Sequence, residues 1–129
     1  MEEIKNLKIL LAEDNWINQR IATITFAKMG LSVDLASNGQ EALEKSSLKA
    51  YDFILMDLHM PVMNGCEAAR QIRNFEAENQ PVHRVCIVAL TAHLSPEIKD
   101  ECSQAGMDDF MEKPFQEGGL RRLLAKKFN

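Results

Sequence analysis

Five short apolar runs recur along the chain, and each is followed by a longer amphipathic stretch. The runs are Lys8-Ile9-Leu10-Leu11-Ala12, Leu31-Ser32-Val33-Asp34-Leu35, Phe53-Ile54-Leu55-Met56, Val85-Cys86-Ile87-Val88-Ala89-Leu90 and Asp109-Phe110-Met111. A strand–helix unit repeated in this way implies an α/β fold with a parallel sheet. The first, third and fourth runs are apolar throughout, as strands covered on both faces are, so they belong in the centre. The second alternates apolar and polar residues, and the fifth is short and polar; both belong at edges. The order 2-1-3-4-5 meets these conditions: a doubly wound, five-stranded parallel sheet with helices on both faces.

The stretches between the runs carry helix signals. Ile17, Ile21 and Ile24 stand at i, i+4, i+7, and Gly30 occupies the position where a left-handed residue closes a helix. Asn38 with Glu41, and Asn64 with Glu67, have the spacing of a capping box. The second pair precedes a helix with Ala68, Ile72 and Phe75, and Pro81 then marks a loop. Ser95-Pro96 supplies a cap and first-turn proline for a helix with Ile98, Cys102 and Ala105, which Gly106 ends. A last helix carries Leu120, Leu123, Leu124 and Phe128. Gly118-Gly119 lowers its propensity by about 1 kcal/mol per glycine relative to Ala, which predicts a late start or a frayed first turn.

Composition narrows the function classes. The chain has 129 residues, 46% of them hydrophobic. That length suits a single domain over 1–129 able to bury roughly two-thirds of its unfolded surface without a metal or disulfide. Nineteen acids against fifteen bases, a net charge of −4, argue against a nucleic-acid surface. Lys5 and Lys8 interrupt any secretory signal, and no apolar run approaches the ~20 residues a bilayer span needs, so no membrane contact is expected. Cys66, Cys86 and Cys102, an odd set in apolar patterns, read as free core thiols in a cytoplasmic setting.

In sheets of this type, chemistry collects beyond the carboxyl ends of the strands. Glu13-Asp14 follow the first run, Asp57 the third, Thr91 the fourth and Lys113-Pro114 the fifth. Three carboxylates at close range repel unless a cation intervenes. A hard divalent ion such as Mg²⁺ suits them, because it takes one or two carboxylates plus phosphate oxygens. Lys113 adds a compact positive charge, Thr91 a hydroxyl, and Asp57 lies centrally as a carboxylate nucleophile. Together these groups suit in-line phosphoryl transfer by positioning and charge neutralisation.

At these residues the chain resembles the receiver domain of two-component response regulators, over nearly its whole length. The resemblance rests on Leu10-Leu11-Ala12-Glu13-Asp14-Asn15, Met56-Asp57-Leu58-His59-Met60-Pro61 with Gly65, Ala89-Leu90-Thr91-Ala92, Ala105-Gly106-Met107-Asp108 and Lys113-Pro114-Phe115. Glu13-Asp14-Asn15 with Asn18 and Gln19, and the Thr91-Ala92-His93 piece, look most like receivers of hybrid sensor histidine kinases. The resemblance implies a flavodoxin-like fold and a signalling switch rather than a metabolic enzyme.

It further implies that Asp57 accepts a phosphoryl group from a phosphohistidine on a histidine kinase or phosphotransfer domain, and later loses it by autodephosphorylation. Mg²⁺, or Mn²⁺ in its place, would be held by Asp14, Asp57 and the backbone carbonyl of His59, with Glu13 acting through water. Thr91 and Lys113 would bind phosphoryl oxygens. Phe110 falls at the aromatic switch position and would follow Thr91. That movement would reshape the face built from the fourth helix, fifth strand and fifth helix, where a second copy or an output partner would bind. His59 and His93 border the phosphoryl site and would shape water access. Trp16, with Ile17, Asn18 and Phe115, forms an expected docking patch for the phosphodonor.

Glu13 stands where many receivers have Asp, and Phe110 where Tyr is commoner. An aspartate-nucleophile phosphatase of the haloacid dehalogenase type is disfavoured: it places the nucleophile on the first strand with a second Asp two residues on, a position held here by His59. A flavodoxin-like cofactor binder would need a Ser/Thr/Gly-rich phosphate cradle after Ala12. No effector segment follows the last helix, so either a stand-alone receiver or part of a larger protein is expected, and the Glu-Asp-Asn opening favours the second.

Overall fold

The computed structural model describes residues 6–79, 84–114 and 116–128; Pro81, His83 and Phe115 lie outside the described residues. Strands β1 (Ile9–Ala12), β2 (Asp34–Ala36), β3 (Phe53–Asp57), β4 (Cys86–Thr91) and β5 (Asp109–Glu112) alternate with five helices. These are α1 (Trp16–Lys28), α2 (Gly39–Leu48), α3 (Gly65–Asn79), α4 (Pro96–Gln104) and α5 (Glu117–Phe128). Every strand pairing is parallel, in the order β2-β1-β3-β4-β5. The expected order, with the two less apolar strands at the edges, is the observed one.

Strand alternation deals the core into two layers. Leu10, Ala12, Ile54, Met56, Ile87 and Ala89 pack with Ala42 of α2, Ala68, Ala69 and Ile72 of α3, and Cys102 of α4. Ile9, Leu11, Phe53, Leu55, Val88 and Leu90 pack with Ala22 and Phe26 of α1 and Leu120, Leu123 and Leu124 of α5. Each large side chain so buried contributes about 1.5–3 kcal/mol. Cys66 and Cys102 sit in the first layer as free, buried thiols, in keeping with core filler. Burial, followed by the thiol of its neighbour Cys66, pushes the Cys102 thiol up to about 12.

The helix signals hold in detail. The Asn38 side chain accepts the Glu41 N–H at 2.8 Å, and the Asn64 side chain accepts the Glu67 N–H at 2.9 Å. Ser95 caps α4 with Pro96 in its first turn, and Gly30 and Gly106 have φ of 78° and 96°.

Two expectations are corrected, and one helix signal is sharpened. The second strand begins at Asp34 rather than Leu31, because the Leu31 N–H is taken by the Phe26 carbonyl in closing α1. Ile17, Ile21 and Ile24 mark a helix but not its buried side; they are 51%, 45% and 50% exposed, while Ala22 and Phe26 on the other side are buried. Helix α5 starts at Glu117, ahead of the glycine pair, held by burial of Leu120 and an Arg121–Glu117 ion pair. Among the described residues, no helix is long and apolar enough to cross a membrane.

Candidate functional site

Parallel register brings the strand ends to one edge. Ala12 pairs with Met56, Asp57 with Leu90 and Thr91 with Glu112, so the residues at and just past these positions stand side by side. Glu13 and Asp14 follow β1, Asp57 ends β3, Thr91 ends β4 and Lys113 follows β5. One carboxylate oxygen from each of Glu13, Asp14 and Asp57 lies within 4.8 Å of the others. Asp14 is exposed, whereas Glu13 and Asp57 are 3% and 4% exposed.

Lys113 bridges the two buried acids. Its Nζ lies 2.7 Å from Glu13 Oε1 and 2.9 Å from Asp57 Oδ2. Burial works to lower the Lys113 ammonium, but the hydrogen bonds to Glu13 and Asp57 outweigh it and hold the group above the ordinary lysine value. The Lys113 N–H donates to the Thr91 carbonyl at 2.8 Å, which fixes the lysine beside β4. The Lys113–Pro114 peptide is cis.

The β3–α3 loop is tightly held. The His59 N–H donates to Asp57 Oδ1 at 3.2 Å, and the Gly65 N–H donates to the Leu58 carbonyl at 3.1 Å. A Cβ on Gly65 would run into the Asp57 carbonyl oxygen, so the chain can return this close only at glycine. Between them, the Met63 N–H closes on the Pro61 carbonyl around Val62, whose φ is 69°. The Gly39 N–H then ties the Met63 carbonyl to α2 at 2.9 Å.

Thr91 is buried, and its hydroxyl lies 3.3 Å from the His93 N–H. The His59 and His93 side chains are exposed. Phe110 is half-buried on β5, paired in register with Ala89 and packed on the layer that holds α4. Trp16 opens α1 and is 69% exposed, continuous with Ile17, Ile21 and Ile24. Asn18, grouped with Trp16 from the sequence, is turned to the acids instead: its Nδ2 donates to Glu13 Oε1 at 3.3 Å.

A cleft of about 280 Å³ lies beside the acids, lined by Glu13, Asn18, Ile21, Ala92, Lys113 and Pro114. A larger groove of about 520 Å³ runs between β5 and α5, past Phe110, Lys113, Gly119 and Arg122. It includes none of Glu13, Asp14 or Asp57, so the smaller cleft, lined by Glu13 and Lys113, is the one beside the acid cluster.

Sequence reasoning placed Lys113 in one pocket with Glu13 to offset its charge but did not specify their direct contact, and it missed the roles of the Asn18 and Gln19 amides. A signal existed for the amides: side chains in the first turns of a helix lean toward its N-terminus, here toward Glu13.

The sequence profile of the response regulator receiver domain matches residues 9–125. Among curated proteins, the chain is 41% identical over 122 residues to hybrid signal transduction histidine kinase K of Dictyostelium discoideum, covering 92% of this chain and 10% of that protein. It is 36% identical over 146 residues to histidine kinase 5 of Arabidopsis thaliana, covering 96% of this chain and 16% of that protein. The chain therefore spans a small part of the length of these relatives.

Two solved structures are similar across almost all of it. One is the receiver domain of a sensor histidine kinase from Pseudomonas aeruginosa, with a magnesium ion coordinated in its active site cleft. It has 38% identity and a TM-score of 0.81, over 93% of this chain and 95% of that one. The other is the receiver domain of a Saccharomyces cerevisiae response regulator, crystallised with a histidine phosphotransfer signalling protein. It has 38% identity and a TM-score of 0.81, over 94% of this chain and 85% of that one. With its five parallel strands, the acids at their carboxyl ends and a family match over most of its length, the chain belongs to the response regulator receiver domains of two-component signalling.

Proposed function

We propose that the chain, as one unit over 1–129, is the phosphoacceptor of a cytoplasmic two-component phosphorelay. Asp57 attacks a phosphohistidine on a histidine kinase or phosphotransfer domain. The phosphorus–nitrogen bond breaks, a phosphorus–oxygen bond forms on the Asp57 carboxylate, and the histidine leaves. Water later cleaves the acyl phosphate and restores Asp57. The observation that carries this reading is the Lys113 ammonium set against Asp57 Oδ2 at 2.9 Å, at the open end of the sheet. It is a fixed positive charge beside the nucleophile, where phosphoryl oxygens gather. Thr91 donates its hydroxyl to one of those oxygens when it gives up the His93 backbone.

The acids fit a divalent metal. Three hard carboxylate oxygens within 4.8 Å of one another suit Mg²⁺, or Mn²⁺ in its place. Glu13, Asp14, Asp57 and the His59 carbonyl would hold it, and bound there it neutralises the negative charge that nucleophile and phosphoryl group bring together. The Pseudomonas domain solved with magnesium supports this assignment.

Docking and output use different surfaces. The exposed Trp16, Ile17, Ile21 and Ile24 stripe receives the phosphodonor protein, a reading supported by its exposed apolar side chains; the yeast receiver crystallised with a phosphotransfer protein supports the class of partner. Phe110 follows Thr91 on phosphorylation and alters the groove between β5 and α5, where a second copy or an output partner binds. His59 and His93 shape access of the hydrolytic water. Replacing both with Ala changes the dephosphorylation rate, and an unchanged rate removes that role.

The core reading is tested by incubation with Mg²⁺ and a small phosphodonor. The wild type gains the mass of one phosphoryl group and Asp57→Asn gains none. No gain with any donor would leave a binding scaffold instead.

A further inference from the structure

Asn18 and Gln19 are consecutive amides on α1, and both are aimed at the same residue. Asn18 Nδ2 donates to Glu13 Oε1 at 3.3 Å. Gln19 Nε2 donates to the Glu13 backbone carbonyl at 2.6 Å and lies 3.4 Å from Ser37 Oγ. The Asn15 N–H donates to Glu13 Oε2 at 3.2 Å, and the Glu13 N–H donates to the Ala36 carbonyl at 2.9 Å. The acid is thus held at its carboxylate and through its own backbone N–H and carbonyl.

Two physical points give this arrangement a purpose. Glu has one more rotatable bond than Asp, so an unheld Glu13 would lose more side-chain freedom on taking a fixed position. Lys113 also shares Oε1, but the same ammonium serves Asp57. The Asn15 N–H holds Oε2, so a donor that stays on Oε1 when Lys113 shifts must come from elsewhere. Asn18 supplies it without charge. A lysine or arginine at that place would hold the acid equally well but would cancel the negative charge that attracts a divalent cation.

We propose that Asn18 and Gln19 are positioning residues that hold Glu13 for a divalent cation while leaving its charge unspent, an inference that rests on the metal reading above. Partners of this kind behind metal-binding acids typically set affinity by roughly tenfold or more.

The test is a Mg²⁺ titration followed by Trp16 fluorescence and by calorimetry, with a urea midpoint for every variant. Asn18→Ala, a substitution favourable to a helix, raises the Kd for Mg²⁺ roughly tenfold. Asn18→Lys, which restores a donor but adds charge, raises it further. In a Glu13→Asp background the shorter acid no longer reaches Asn18, and Asn18→Ala then changes Kd by less than about twofold. Gln19→Ala raises Kd in the wild-type background in the same direction.

Wild type that binds Mg²⁺ while Asn18→Ala binds it equally overturns the positioning role and leaves the metal reading intact. Equal losses in the wild-type and Glu13→Asp backgrounds also overturn it, because the amide would then act through the helix rather than the acid. Wild type that binds no Mg²⁺ removes the metal reading and this inference together.

Discussion

Gly106 backs directly onto Arg73: its carbonyl accepts the Arg73 Nε at 2.9 Å, and a Cβ on it would lie 2.7 Å from Arg73 Cγ. The same guanidinium binds Glu76, Asp108 and the Val85 carbonyl, so it joins α3 to the starts of β4 and β5. Gly106→Ala meets both a φ of 96° and this contact. It should cost about 2–4 kcal/mol. A urea titration with unchanged slope reads the loss; a cost below about 1 kcal/mol would mean that Arg73 yields freely.

Removing the Lys113 charge leaves Glu13 and Asp57 buried with no cation between them. Lys113→Ala should destabilise the metal-free protein by about 2–4 kcal/mol. Added Mg²⁺ should recover part of this, since a divalent ion offsets the same charges. Denaturant midpoints with and without Mg²⁺ decide the matter, and equal midpoints for wild type and variant in metal-free buffer would contradict it.

The proposed docking role of the isoleucine stripe can be tested apart from folding. Ile21→Ser and Ile24→Ser change exposed positions and should alter stability by no more than about 0.5 kcal/mol. Transfer from a phosphorylated protein donor should slow at least about tenfold more than labelling by a small phosphodonor. Parallel slowing of the two would place the stripe outside the docking surface.

Alkaline pH should weaken the fold. Lys113 and Cys102 both hold their protons to higher pH when folded than when unfolded. The unfolded chain therefore releases protons first, and stability falls as pH rises. For Cys102 the window runs from the ordinary thiol value of 9.0 to about 12; for Lys113 it opens above 10.5. The same shift keeps the Cys102 thiolate fraction at about pH 8 well below that of an ordinary thiol. Iodoacetamide should modify Cys102 far more slowly in native protein than in urea, and equal rates would contradict its burial.

The strand order was legible because apolar runs without polar breaks belong in the middle of a parallel sheet. The five groups at the strand ends were legible because each lies within two residues of the end of a run. What remained hidden depends on contacts that periodicity does not encode. Leu31 has the polarity of a strand residue, but its N–H is committed to closing α1. Ile17, Ile21 and Ile24 have core spacing yet face outward, because Ala22 and Phe26 already fill the space beneath α1. Glu41 reaches back to the Ser37 N–H, one residue ahead of the box that its spacing suggests. The Glu13–Lys113 pair joins the first and last strand ends, and no local pattern announces it.

Glu13 and Lys113 lie 100 positions apart in the chain, and β3 and β4 stand between their strands in the sheet. During synthesis, a ribosome that has released β1 to β4 has released all three acids but not the ammonium that belongs between them. A contact so far apart in sequence carries a loop-closure cost that local contacts do not. A chain cut short or stalled before β5 therefore holds an aspartate with no lysine beside it. The completed site is a record that the last strand has docked: Glu13 and Asp57 share an ammonium only once β5 is in place.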